Sequence, residues 1–161
     1  MKHQILIKDL IKSIHQKQCL EISKSIFGDS YHELSFFKKR NNTISIVATI
    51  KNIVIGFLIA HYVSEKKVKL DCVGITQKFQ KQKVGTELMS HFIEHKLQKK
   101  IKIIAHAWKN SDGINASKLN TKFGLNQTKN LGKIWVKECN KTFTCPYYNC
   151  GCHCESIEFC N

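Results

Sequence analysis

A single proline, Pro146, and a single arginine, Arg40, occur in the 161 residues, and no Gly/Ser-rich stretch separates one part of the chain from another. With no linker composition and aliphatic residues spread throughout, the chain is excluded from the disordered class. It is expected to fold as one domain with a small appendage. Arginine is the side chain that reads guanine edges and grips phosphate through two parallel hydrogen bonds, so its scarcity argues against sequence-specific DNA recognition. Long apolar runs are also missing. The most apolar region, residues 44–63, is interrupted by Lys51-Asn52, whereas a membrane span needs roughly 20 mostly apolar residues. The opening "MKHQILIKDL" has too short an apolar segment for a signal peptide and no small-residue cleavage site. These absences lead to the expectation of a soluble, cytoplasmic protein whose eight cysteines are reduced or metal-bound.

Lysine is what the chain has in excess. A formal net charge of +14 suits an acidic partner, such as a phosphorylated cofactor, a nucleic acid or an anionic surface, although biased composition alone also produces it. Along the chain, "HQILIK" reads as a strand, and Asp9 can cap a helix that carries Leu10, Ile11, Ile14, Ile22 and Ile26 on one side and stops at Gly28. Residues 30–40 read as a second short helix. "TISIVATI" and "IVIGFLIAHYV" flank Lys51-Asn52 as a hairpin. "VKLDCVGIT" is a further strand, and from Val84 apolar residues recur at helical spacing to about residue 99. "KIKIIAHAW" is a strand again. Ser111 and Asp112 offer caps for a helix bearing Ile114, Ala116, Leu119 and Phe123, and residues 133–136 read as the last strand. This order implies an α/β (α+β) protein whose central sheet is flanked by helices.

The junction "QKFQKQKVGTEL", residues 77–88, hands a strand over to a helix and is crowded with lysine and glutamine. The first turn of a helix has main-chain N–H groups without intrahelical partners, and its dipole favours an anion. There a missing Cβ at Gly85 would let phosphates approach the backbone, and Lys78, Lys81 and Lys83 would raise the potential. A lysine-rich, solvated helix start is the plainer reading of the same residues.

"QKFQKQKVGTELM" resembles the acyl-CoA signature of the GNAT superfamily of N-acetyltransferases, Gln/Arg-x-x-Gly-x-Gly/Ala, with Gln80 first, Gly85 last and Lys83 where the first glycine is usual. "ASKLNTKFGL" is similar to the family's later helix motif, matching at Ala116, Leu119, Lys122, Gly124 and Leu125, with Asn120 in the tyrosine position. The resemblance covers residues 1–136 and implies a mixed, mostly antiparallel sheet. Residues 137–161 are expected to form a cysteine-rich C-terminal segment, a candidate for zinc binding, packed on the same domain. It further implies acetyl-CoA in a gap between two strands. The pantetheine would pair with the backbone at Val73 and Ile75, and Asn115 would reach its amides. The diphosphate would meet the amides of Gln80, Lys81, Gln82, Lys83, Val84, Gly85 and Thr86.

Acetyl transfer to an amine needs a base for the ammonium, a donor for the thioester oxygen and an acid for the thiolate. Asp71 is the first candidate base, with His61 and His106 behind it, and a backbone N–H near Val73 is a candidate donor. Asn120 cannot act as the acid, which leaves Tyr62, Tyr147, Tyr148 or water. Each of these residues also has an ordinary structural reading.

Cys139, Cys145, Cys150, Cys152, Cys154 and Cys160 crowd the end of the chain. A tetrahedral zinc site needs four thiolate or imidazole ligands at about 2.0–2.3 Å. Cys145, Cys150, Cys152 and Cys154 are the tightest set, with Cys139 and His153 in reserve. Free thiols and disulfides are the alternatives. The sequence therefore supports an acetyl-CoA-dependent N-acetyltransferase acting on a primary amine, with a structural zinc as a possible addition. A basic zinc-containing nucleic-acid-binding module is the rival, and a CoA-binding protein without turnover the third reading. No membrane partner is expected, and monomer and homodimer both stay open.

Overall fold

A computed structural model of the chain describes residues 4–10, 13–31, 42–97 and 100–161, apart from the side chain of Lys96. The elements in chain order are β1 (Leu6–Asp9), α1 (Ser13–Phe27), β2 (Thr43–Ile50), β3 (Ile53–Ser64), β4 (Lys67–Ile75) and α2 (Val84–His91). They are followed by β5 (Lys102–Asn110), β6 (Gly113–Ile114), α3 (Ser117–Lys122), β7 (Asn126–Gly132) and β8 (Glu155–Cys160). The sheet runs β1-β2-β3-β4-β5-β8-β7, with β6 folding back on the end of β5. All of these pairings are antiparallel except the parallel pair β4–β5.

The alternation of apolar residues sorts this sheet into two faces. On β3, Leu58 and Ala60 point into a core shared with Val84, Leu88, Met89 and Phe92 of α2 and its continuation. Phe57 and Ile59 point the other way, toward Cys19 and Ile22 of α1. Side chains such as Phe57, Leu58 and Phe92 are fully buried, each contributing about 1.5–3 kcal/mol of burial free energy. The β2–β3 hairpin turns at Lys51 (φ 48°) and Asn52 (φ 67°), the positive pair expected of a two-residue turn.

Several local expectations are corrected. Asp9 lies in β1, α1 buries His15, Cys19 and Ile22, and Ile14 is exposed. The helix beginning at Val84 passes into a π-helical stretch, Phe92–Lys96, and Leu97 is already extended. Ser111 and Asp112 sit in the β5–β6 turn, not at a cap, because Asn110 Oδ1 accepts the Asp112 N–H at 2.9 Å and holds that turn. The strand expected at 133–136 is a run of turns, and β7 lies just before it in a polar stretch. The expected helix at 30–40 falls largely outside the described residues.

β8 carries the largest surprise. It comes from the cysteine-rich segment, yet it runs between β5 and β7 with Ser156, Ile157 and Phe159 buried.

Candidate active site

β4 and β5 pair only from Lys67↔Lys102 to Leu70↔Ala105. Beyond that point β5 continues against β8 and β4 against β3, so residues 71–75 and 106–110 diverge and a cleft opens between them. The cause is visible in the register. Ile59 pairs with Cys72 and Ala60 with Leu70, leaving Asp71 as an inserted residue. Such a bulge reverses the facing of the strand beyond it: Val68 and Leu70 point to the α2 core, whereas Cys72, two residues on, points to the α1 side.

The Asp71 side chain lines the cleft. It is 3% exposed, and its Oδ2 lies 2.5 Å from Nδ1 of His61, which sits behind it on β3. Across the gap, His106 also lines the cleft, with Nε2 3.6 Å from Glu158 Oε2. Burial pushes its pKa below the usual imidazole range, Lys69 adds to this, and Glu158 opposes it. The three candidate bases thus divide into a pair on one wall and, on the other, an imidazole beside Glu158.

At the C-terminal end of β4, Ile75 leads through Thr76 into a single 3-10 turn, Gln77–Phe79. Lys81 (φ 60°) and Lys83 (φ 65°) both adopt left-handed backbone. The glutamines do not project as donors. Gln80 Nε2 donates to Ile75 O at 3.1 Å and Gln82 Nε2 to Lys78 O at 2.7 Å, tying the loop to itself. The amide of Glu87, bonded to Lys83 O at 3.0 Å, is the first of α2 to find a main-chain acceptor. Those of Val84, Gly85 and Thr86 precede it and face outward from the helix start. A Cβ built on Gly85 would reach Leu119 of α3 at 3.4 Å, ordinary contact, so the position faces α3. Free amides, left-handed turns and lysines in one corner fit a diphosphate. Val73 and Asn115 line the cleft, and the Asn115 N–H is fixed to Trp108 O at 2.8 Å. Asn120 also lines it, buried.

The opposite end is aromatic. Trp108, on β5, is surrounded by Tyr31 (ring centroids 5.6 Å apart), Phe27 (5.8 Å), Trp135 (5.6 Å) and Tyr147 (6.0 Å), with Phe143 at 6.4 Å. Phe27, Tyr31, Trp108 and Trp135 line the cleft. Tyr31 was not a sequence candidate. It is buried, it senses the charges of Asp71 and Cys72, and its hydroxyl is held well above the ordinary phenol range, chiefly by burial. Of the tyrosines that were candidates, Tyr62 packs against the α2 core, Tyr147 lies behind Trp108, and Tyr148 is exposed.

The aromatic wall is held by the cysteine-rich segment. Cys139, Cys145 and Phe143 pack with Tyr31 and Trp108, and Cys152 lies against them. The Cys139 thiol interacts with those of Cys145 and Cys152, and the Cys154 thiol with that of Cys145. Burial together with these contacts pushes Cys139 up to about 12 and Cys154 to about 11. Of the expected ligands, Cys145, Cys152 and Cys154 come together. Cys150 is exposed, and the reserve ligand Cys139 stands in its place. Among the described residues no set of three or more His, Cys, Asp or Glu side chains is arranged to hold a metal ion. The thiols meet in hydrogen-bonded pairs around a hydrophobic cluster, so the zinc expectation gains no support.

A strand bulge opening a V between two parallel strands, beside a main-chain anion corner, defines the fold of an acyl-CoA-dependent transferase. Residues 9–125 match the model of the acetyltransferase (GNAT) family, and the chain belongs to that family. Among solved structures it is similar to the ribosomal-protein-S18-alanine N-acetyltransferase of Escherichia coli, with a TM-score of 0.74 and 12% identity over 98% of this chain and 92% of that one. It is similar to a GNAT family acetyltransferase from Elizabethkingia anophelis with acetyl-CoA bound (TM-score 0.72, 17% identity, 99% of this chain and 98% of that one). Arabidopsis thaliana NAA60 in complex with a bisubstrate analogue also matches (TM-score 0.71, 13% identity, 98% and 97%). At these identities the likeness is one of fold. No curated protein matches the chain in sequence. No helix among the described residues is long and apolar enough to cross a membrane.

Proposed function

We propose that the chain binds acetyl-CoA along the diverging edge of β4 and transfers the acetyl group to a primary amine that enters from the aromatic end. One observation carries the reading. Asp71 is the residue inserted where β4 leaves β5, its carboxylate lines the cleft, and His61 backs it at 2.5 Å.

Acetyl-CoA, as cosubstrate, supplies the activated thioester. The edge of β4 beyond its pairing with β5, at Val73 and Ile75, is offered to the pantetheine amides as a strand would be, although Gln80 Nε2 already donates to the Ile75 carbonyl, and Asn115 adds a side-chain contact. The amides of Gln80, Lys81, Gln82, Lys83, Val84, Gly85 and Thr86 are assigned to the diphosphate. The Val73 N–H polarises the thioester oxygen. Asp71 takes the ammonium proton, directly or through one water, becoming neutral as the amine does, and His61 holds the carboxyl group in place. Asn120 has no proton to give a thiolate. Tyr31 is the tyrosine that lines the cleft among the described residues, so we assign it the leaving-group proton.

A second reading, CoA binding without turnover, is favoured by Asn120 standing where the family motif carries a tyrosine. Two measurements on the intact chain separate the readings. Acetyl-CoA at about 100 times its Kd should stabilise the fold by about 2.7 kcal/mol, read as a rise in melting temperature, and an amine panel should release free thiol. No thermal shift removes the proposal. A shift with no thiol from any amine leaves the second reading.

A further inference from the structure

Resting on the transfer reading above, we infer that the acceptor is a single primary amine carried on an aromatic or branched apolar body. Polyamines, aminoglycosides and lysine side chains set among other cations are excluded.

The inference comes from the make-up of the acceptor end. Two indoles, Trp108 and Trp135, with Tyr31 and Phe27, form its walls, and Ile134 continues them to the surface, 42% exposed. Flat apolar walls of this kind reward a ligand that buries carbon and cost a ligand that brings polar groups it cannot pair. Charge gives the count of amines. Among the described residues Asp71 is the one carboxylate that lines the cleft, and the other titratable groups lining it from its two strands are Lys69, Cys72 and His106, the last with Glu158 3.6 Å behind it. A polycation needs several carboxylates to replace its hydration, and here it would meet one lining carboxylate, a lysine and a chain whose net formal charge is +14. One ammonium has a lining carboxylate to meet; among the described residues the next carboxylate, Glu158, already faces His106. The aromatic faces also attract a cation on its way to Asp71, which fits an amine joined to its apolar body through a short linker.

Two sources share this chemistry, a free arylalkylamine and the N-terminus of a peptide beginning with a large apolar residue. The experiment gives each an arm. With acetyl-CoA saturating, thiol release is followed for 2-phenylethylamine, for a short neutral peptide beginning with Phe, for ethanolamine, for spermidine and for kanamycin. At least one of the first two should exceed each of the last three in kcat/KM by about 30-fold, the discrimination expected from burying an aromatic group. Trp135→Ala should then raise KM for the preferred amine about tenfold. The KM for acetyl-CoA and the thermal shift it produces should stay as in the parent chain, which a general loss of structure would not allow. Ile134→Ala, at the exposed rim, provides a second variant should Trp135→Ala fold poorly, with a smaller rise in the same KM. Preference for spermidine or kanamycin, or a Trp135→Ala defect equal for all amines, overturns the inference and leaves acetyl transfer intact. Thermal stabilisation by acetyl-CoA with no thiol from any of the five amines overturns the transfer reading and this inference with it.

Discussion

Between Ile75 and Thr86, beyond the end of β4, the surface is made of main chain. Two left-handed lysines and the first amides of α2 face outward, while the glutamine side chains are used up in tying the loop together. Between Trp108 and Tyr147 the surface is made of side chains, drawn from α1, β5 and the cysteine-rich segment, which meet only because each packs on the others. The first kind of surface depends on backbone direction and accepts many sequences. Lys83, where the family motif has glycine, takes the required left-handed conformation (φ 65°) with its side chain exposed. The second kind depends on the identity and position of every ring, so it is where one family member can differ from another in its acceptor.

Asp71 lies at the seam of the two surfaces, and its replacement should have the largest effect. Asp71→Asn keeps the shape and a hydrogen bond to His61 but removes the base. We expect kcat/KM to fall about 10²–10⁴-fold while acetyl-CoA still raises the melting temperature; retention of full activity would remove Asp71 from the mechanism.

Gly28 tests the side-chain surface at its foundation. It has φ +103°, a Cβ there would lie 1.7 Å from Thr144 O, and the Thr144 N–H donates to Asp29 O at 2.9 Å next to it. The cysteine-rich segment therefore docks on the end of α1 at a point where no side chain fits. Gly28→Ala should cost about 3 kcal/mol or more, a fall in melting temperature of about 6–12 °C. Acetyl-CoA should still stabilise what remains, because the corner at residues 80–86 lies elsewhere.

The main-chain surface is probed by Gly85→Asp. The fold has room for a Cβ there, with Leu119 at 3.4 Å, and the carboxylate beyond it would lie against that apolar side chain, so a modest loss of stability is expected. The added carboxylate should raise KM for acetyl-CoA about tenfold and leave KM for the amine unchanged.

The smallest effect is a pH dependence. His106 has its folded pKa below the unfolded value because of burial and Lys69. The unfolded chain therefore takes up this proton first as pH falls below about 6.5, and stability declines across the window down to the folded pKa. His106→Gln should flatten the acid side of a melting-temperature profile from pH 7 to 5 and leave the profile above pH 7 as it was.

Much of the frame was legible from neighbouring residues. The hairpin at Lys51-Asn52, the alternating strands on either side of it, β4, and the start of α2 at Val84 all follow from turn chemistry and apolar spacing. The misses have a common origin. Ser111 and Asp112 look like caps, but the turn they occupy is set by β5 doubling back on β6. β7 is polar because its residues lie near the sheet edge, so it lacks the apolar alternation that marks a strand. β8 is six residues beside a cluster of cysteines, and nothing local tells it to enter the sheet between β5 and β7. Asp71 was identifiable as a candidate from its place on a strand. That it is an inserted residue with His61 behind it depends on the β3–β4 register, which the order of residues does not state.

By itself the sequence determined the strands from β1 to β5, the start of α2 and the family to which the chain belongs, because these rest on backbone preferences and on spacings a few residues long. Only the tertiary structure decided that Tyr31 and Trp135 share a cleft with Asp71, and that Cys139 joins Cys145, Cys152 and Cys154 while Cys150 faces solvent. Those groupings arise from contacts between segments tens of residues apart, whose formation depends on how the faces of the whole sheet are buried.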